Sequence, residues 1–272
     1  MSFKKDNLDR FYTTRNQAEK YFDVVRNITE NSFNEAIFIE PSAGDGSFFE
    51  LFPIERRFGI DINPAAVGII KNDFLKMRFD NLNTKSPIFV IGNPPFGRNS
   101  SLAIKFFNKA AMFSDLITFI LPRTFRKISI IRKLNDNFHL LYDEIVPQNS
   151  FILNKKSYNI KSVFQIWTKK AIKRPKIPKA KTNDFEFIKN KNLCNIAIRR
   201  VGGNAGLVII NNDAINQTNQ ECFWYIKAKN PQKVMKIINS FDWKTIGDNT
   251  VGPRSISSEE IISIYNKLIY KN

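Results

Sequence analysis

Histidine is nearly absent from this sequence: 272 residues hold one imidazole, His139, beside two cysteines, Cys194 and Cys222. Three such residues cannot assemble a four-ligand Cys/His zinc site, and two thiols make no disulfide framework. A Ser-His-Asp or Cys-His mechanism would have to run through His139 alone, so we read all three residues as structural. Long apolar runs are missing too. No stretch of about 18 apolar residues occurs, so no spanning helix is expected. MSFKKDNLDRF has no apolar segment behind its lysines, so a secretory signal is not expected and the expected compartment is the cytoplasm.

Acid is scarce as well. Lys and Arg number 42 against 25 Asp and Glu, a formal net charge of +17. With 43% hydrophobic and 13% aromatic residues, this is a globular composition and not a disordered basic tail. The charge is uneven: between Ile145 and Asn183 the chain carries ten Lys/Arg and no acid. Such a block is either a solvated linker or a surface that tracks phosphates, and it points to nucleic acid as a partner.

The first 170 residues alternate short apolar runs with amphipathic stretches, the pattern of an α/β sheet. Strands are expected at Ala36 to Glu40, Phe58 to Ile62, Ile88 to Gly92 and Ile117 to Leu121, almost uniformly apolar as doubly buried strands must be. Helical spacing marks Gln17 to Glu30 and Ser101 to Phe113. Leu140 to Val146 and Ser162 to Thr168 could close the sheet as a hairpin with a long connection. Pro175 and Pro178 break the basic run from Lys169 to Lys181. The expected organisation is a domain over residues 1–170, a basic linker over 171–181 and a small α+β unit over 182–272.

Small residues and two glycines follow the first of these strands, in Glu40-Pro41-Ser42-Ala43-Gly44-Asp45-Gly46-Ser47, ahead of an expected helix. In open α/β sheets ligands bind outside the carboxyl ends of strands, where glycine lets the backbone approach closely. About 20 residues on, at the end of the next strand, Asp61 can accept both hydroxyls of a ribose. The loop lacks the third glycine of the dinucleotide fingerprint and opens on an acid, so a ligand with a positive centre suits it better than a pyrophosphate. Asp73 and Phe74 could offer an acceptor and an apolar wall to an adenine ring.

The strand Ile88 to Gly92 then runs into Asn93-Pro94-Pro95-Phe96. Two prolines remove two N–H donors and stiffen the turn. EPSAGDGSF, GIDIN, NDF and NPPF, in this order and spacing, resemble the class I S-adenosylmethionine-dependent methyltransferases that act on the N6 amino group of adenine. That resemblance implies a Rossmann-like methyltransferase sheet with helices on both faces, S-adenosyl-L-methionine as cofactor and S-adenosyl-L-homocysteine as product. It implies that Tyr12, Thr13 and Thr14 contact the methionine end of the cofactor. Glu40, Ala43, Gly44, Asp45 and Gly46 would form the cofactor loop, Asp61 and Ile62 the ribose position, and Asp73 and Phe74 the adenine position. Asn93, Pro94, Pro95 and Phe96 match the catalytic site, with Asn93 also beside the cofactor. Many relatives have Tyr where this chain has Phe96; either ring can stack.

Motif order is that of the gamma group of DNA amino-methyltransferases, whose target-recognition region lies at the carboxyl end. The expected substrate is therefore DNA adenine, with RNA adenine as the alternative. A glutamine amide of a protein, or a retired relative that binds nucleic acid without turnover, ranks lower. Arg123, Arg126, Lys155, Lys156, Lys173, Arg174, Arg199 and Arg200 are the expected phosphate contacts. No metal, membrane or obligate protein partner is expected.

Overall fold

A computed structural model describes residues 11–79, 84–153, 156–210 and 212–270. The chain divides into two compact units, Met1–Lys176 and Ile177–Asn272. In the first, β1 (Tyr12–Thr13) leads into α1 (Arg15–Ile28) and the short α2 (Glu30–Phe33), followed by β2 (Ile37–Glu40), β3 (Arg57–Asp61), β4 (Ile69–Lys71) and β5 (Ile88–Gly92). Then come α3 (Ser101–Ala110), β6 (Leu116–Pro122), α4 (Ile128–Ile131), β7 (Phe138–Ile145), β8 (Phe151–Leu153), β9 (Lys156–Tyr158) and β10 (Ser162–Lys169).

Seven strands form one sheet in the order β4-β3-β2-β5-β6-β10-β7. The pairs from β4 to β6 are parallel, whereas β10 runs antiparallel to both β6 and β7. The expected hairpin of β7 and β10 forms, and its long connection carries β8 and β9, which with β1 make a separate three-stranded ribbon. Alternation along the buried strands decides what each face meets. Ile88 and Val90 of β5 point to a core shared with Ala103, Phe106, Phe107 and Ala110 of α3. Phe89 and Ile91 point to the opposite core, with Ala18, Tyr21, Phe22 and Val25 of α1. The sheet is thus covered by helices on both faces, the Rossmann-like methyltransferase arrangement that the resemblance implies.

The second unit begins with β11 (Phe185–Ile188) and β12 (Ile196–Arg199), then β13 (Val208–Ile209), α5 (Asn212–Asn216) and β14 (Phe223–Ala228). Three helices end it: α6 (Pro231–Asn239), α7 (Trp243–Gly247) and α8 (Ser258–Ile269). Its antiparallel sheet has the order β11-β14-β12-β13. One side of it packs on Val234 and Ile238 of α6 and Ile261 and Tyr265 of α8, and the other on Ile215 of α5. Helix α8 starts at a reciprocal capping box between Ser257 and Glu260. This is the small α+β unit the sequence suggests.

Two local differences from the sequence expectations concern the site. The loop after β2 passes through two 3-10 turns, Phe49–Leu51 and Ile54–Arg56, and not an α-helix, because Pro53 and the early start of β3 leave no room for one. The basic segment after β10 is not free at its start. Lys170 N and Arg174 N donate to Asn137 O and Asp136 O at 2.8 and 2.7 Å, which holds this end of it to the first unit.

Candidate active site

Strand order reverses between β2 and β5: from β2 the chain builds outward through β3 and β4, from β5 through β6. The crevice outside the carboxyl ends of such a pair is where open α/β sheets bind ligands. Here it lies between the loop that follows Glu40 and the turn that begins at Asn93, and Ser42 Oγ joins the two by donating to Asn93 O at 3.1 Å.

Glu40, the last residue of β2, is 3% exposed and accepts a 2.7 Å hydrogen bond from Phe49 N. Burial pushes its carboxyl well above the ordinary carboxylate range; the Phe49 N–H pulls the other way, and the charges of Asp45 and Asp61 add to the rise. Asp61 ends β3 and accepts from Gly44 N at 2.9 Å and from Asn63 N at 2.7 Å, so it fastens the Gly44 turn to the next strand. Ile62 beside it is 48% exposed. Asp45 is exposed and holds Ser47 through its N and Oγ, at 3.2 and 2.7 Å. Gly44 has φ +50°, and a Cβ there would lie 2.7 Å from Cε1 of Tyr12. The loop can pass under that ring only as glycine.

None of Glu40, Asp45 and Asp61 has an ion-pair partner among the described residues. Three acids grouped without a counter-charge fit a cationic guest, and their spare oxygen lone pairs can accept hydroxyl or ammonium hydrogens. S-adenosylmethionine, with a sulfonium, an ammonium and a ribose diol, matches that donor and charge set.

Across the crevice, Asn93 Nδ2 donates to Phe11 O at 2.9 Å and to Thr13 Oγ1 at 3.3 Å. Asn93 Oδ1 accepts no hydrogen bond among the described residues. Pro94 is buried, while Pro95 and Phe96 are half-buried, and the Phe96 ring rests against the core on the α1 side. Backbone strain follows at once: Gly97, Asn99 and Ser100 have φ of +67°, +53° and +63°, and for the non-glycine pair this costs on the order of 1–3 kcal/mol each. A 2.6 Å hydrogen bond between Ser100 Oγ and Thr124 Oγ1 braces the turn against the segment after β6.

Other expected residues have different surroundings from those the motifs imply. Thr13 is buried and turns its hydroxyl to Asn93. Thr14 is the N-cap of α1, its side chain accepting from Gln17 N. Asp73 is half-buried and accepts from Leu75 N at 3.0 Å, but the Phe74 ring is 1% exposed and stacks on Phe106. As placed, Phe74 is core and offers no open face to a ligand.

Among the expected phosphate contacts, Arg126 pairs with Asp143 at 2.7 Å. Arg174 donates through one terminal nitrogen towards Ile131 O, Leu134 O and Asn135 O, and covers the Trp167 ring at 5.5 Å. These two guanidiniums are engaged within the first unit. Lys156 and Lys173 are exposed, the latter only 3.9 Å from Asp136 at closest. Arg123 is half-buried in the turn after β6. In the second unit Arg200 lies 4.2 Å from the centroid of Trp224, and Arg199 donates to Val201 O and lies near Phe223. Lys155 lies outside the described residues. His139 contacts Ile172 O at 2.8 Å, and both cysteines are free thiols.

Sequence reasoning missed Ser42, Ser47 and Ser100, whose hydroxyls join one loop to the next. Only the adjacency of Ser42 and Ser47 to the glycine turn could have pointed to two of them.

No family of known proteins matches this sequence, and no curated protein matches it. Among solved structures the chain is similar to a putative RNA methyltransferase, PH1948, from Pyrococcus horikoshii. Identity is 18%, over 62% of this chain and 92% of that one, with a TM-score of 0.47. It is similar to a protein of Thermoplasma acidophilum at 19% identity, over 62% of this chain and 94% of the other, with a TM-score of 0.42. A third similar structure is the 23S rRNA methyltransferase ErmE, at 12% identity over 60% and 70% of the two chains, with a TM-score of 0.39.

Proposed function

We propose that the protein is an S-adenosylmethionine-dependent methyltransferase acting on the N6 amino group of adenine in nucleic acid, with DNA as the polymer. The observation that carries this reading is the Asn93 carboxamide, its N–H groups turned to β1 and its Oδ1 without a partner among the described residues, at the edge of a crevice whose other wall is acidic.

The N6 lone pair of adenine is delocalised into the ring, so the nitrogen is a poor nucleophile until its hydrogens are drawn out of plane. Asn93 Oδ1 and the Pro94 carbonyl would accept those two hydrogens and turn the lone pair towards the crevice. Phe96 would stack on a base swung out of its helix, worth about 1–3 kcal/mol. Glu40 and Asp61 would hold the cofactor's cationic and diol ends. S-adenosylmethionine, held by Glu40 and Asp61, would supply an electrophilic sulfonium methyl for that amine. Placement and a preset electrostatic field carry the rate, which is consistent with a site without histidine.

DNA is preferred on the gamma-type motif order and on the carboxyl-terminal unit with its paired arginines. RNA adenine presents the same amine and is the second reading; two of the similar structures are named for RNA methylation. Transfer of label from S-adenosylmethionine is to be measured on adenine-containing DNA and RNA in parallel. Asn93→Ala should abolish transfer while leaving cofactor binding in calorimetry intact. Label on RNA alone would replace DNA as the substrate. Label on neither, or full activity in Asn93→Ala, would refute the reading.

A further inference from the structure

Thr13 is the residue at which both walls of the crevice meet. It is 5% exposed. Its carbonyl oxygen lies 2.8 Å from Ser47 Oγ, on the loop after β2, whose one hydrogen it shares with Asp45 Oδ1, and its Oγ1 accepts from Asn93 Nδ2 at 3.3 Å, on the turn after β5. The Phe11 carbonyl, which can only accept, takes Asn93 Nδ2 at 2.9 Å.

A carboxamide has one end that donates twice and one that accepts twice, and its flip is set by its neighbours. The Phe11 carbonyl can only accept, so the NH2 end of Asn93 belongs on the β1 side and Oδ1 faces the crevice; the Thr13 hydroxyl, able to donate or accept, takes the second N–H. The opposite flip would set Oδ1 against the Phe11 oxygen and present two N–H groups to an incoming amine, which needs an acceptor.

We infer that Thr13 is a positioning residue for Asn93: the Phe11 carbonyl sets the flip, and Thr13 Oγ1, by taking the second Nδ2 hydrogen, anchors the carboxamide in the plane that offers Oδ1 to the exocyclic amine. This rests on the role given to Asn93 above and assigns the Thr13 hydroxyl to the acceptor and not to the methionine end of the cofactor.

Thr13→Val keeps the shape of the side chain and removes the acceptor, whereas Thr13→Ser keeps the acceptor. One net hydrogen bond corresponds to roughly a five- to tenfold change. The expected result for Thr13→Val is therefore a kcat lower by about that factor, with the Kd for S-adenosylmethionine unchanged and activity largely restored in Thr13→Ser. A second readout does not require turnover. The side-chain amide protons of Asn93, assigned by loss of their signal in Asn93→Asp, should exchange with solvent more slowly in the wild type and in Thr13→Ser than in Thr13→Val.

If the wild type methylates adenine and Thr13→Val keeps full kcat, the inference fails while the function stands. If Thr13→Val weakens cofactor binding and leaves kcat alone, Thr13 belongs to the cofactor and the inference fails. If the wild type transfers no methyl group, the function proposed for Asn93 fails, and equal amide exchange in all three proteins would independently remove the positioning role.

Discussion

Glu40→Gln should separate the cost of the acidic wall from its use. In the folded protein this carboxyl is 3% exposed and accepts from Phe49 N; burial, then the neighbouring Asp45 and Asp61 charges, favour its neutral form. An acid raised by folding contributes its full stability below its unfolded value of 4.5 and loses it as pH rises towards the folded one. At pH 7 the loss cannot exceed 2.303RT times the distance from 4.5 to 7, about 3 kcal/mol. Gln keeps an acceptor for Phe49 N and never ionises, at the expense of one NH2 group to satisfy, about 1 kcal/mol. Urea denaturation at about pH 5 and about pH 8 should then show the variant gaining on the wild type as pH rises, with 2.303RT times three pH units, about 4 kcal/mol, as the ceiling. Binding should move the other way. A cationic cofactor favours the ionised carboxyl, so the wild type should release a proton on binding S-adenosylmethionine, seen in calorimetry as a heat that depends on the buffer. Glu40→Gln should bind at least about tenfold more weakly without that release. A stability difference that is the same at both pH values would refute the reasoning, because it would mean the carboxyl ionises alike in the folded and unfolded chain.

Gly44→Ala should sharply weaken cofactor binding, because the added Cβ would lie 2.7 Å from the Tyr12 ring and displace it; adding Tyr12→Ala should recover part of it, as measured by calorimetry on both variants. Arg174→Ala should lower stability by about 1–3 kcal/mol in denaturant melts, since a charged donor to three carbonyls and the cover over Trp167 are lost together. Charge reversal of exposed Lys156 and Lys173 should weaken binding to a DNA duplex and flatten its salt dependence, while Arg126→Met, which only breaks the pair with Asp143, should leave that slope unchanged. Tyr265→Phe removes the 2.6 Å hydrogen bond that, with Lys233, keeps Asp184 below the usual carboxylate range. About a third of the Asp184 side chain is open to water, so the loss should be under about 1 kcal/mol. It should be present above the ordinary carboxylate range and vanish as pH falls through the folded value, as a series of melts from neutral to acid pH would register.

The strands β2, β5, β6 and β10 can be read from the chain because burial on both faces demands an unbroken apolar run, as in IFVIG. Strands β1, β8 and β9 escape notice for the opposite reason. Two or three residues each, they owe their form to partners far along the chain. The acidic loop and the Asn-Pro-Pro turn were visible as motifs, and the parallel pairing of β2 with β5 brings them together. What the motifs do not carry is the wiring between them. Ser42 to Asn93 and Asn93 to Thr13 are side-chain contacts across 51 and 80 residues. The fate of a charged or aromatic side chain is similarly hidden: Arg126 beside Asp143, Arg174 over Trp167 and Phe74 under Phe106 are settled by tertiary neighbours.

The pairing of Tyr12 with Ile152 sets an order of events. The acceptor that Asn93 turns to belongs to the first described strand, yet that strand has no partner until a hairpin 140 residues downstream has been made. Pairs this distant close late, because the intervening loop entropy must be met before any contact rewards it. On a ribosome the parallel core, the acidic loop and the Asn-Pro-Pro turn can all gather while the carboxamide is still free to spin. The crevice is thus finished by a strand that emerges after the whole parallel core, and a chain cut before Phe151 would keep the parallel strands but lack the clamp that aims its acceptor.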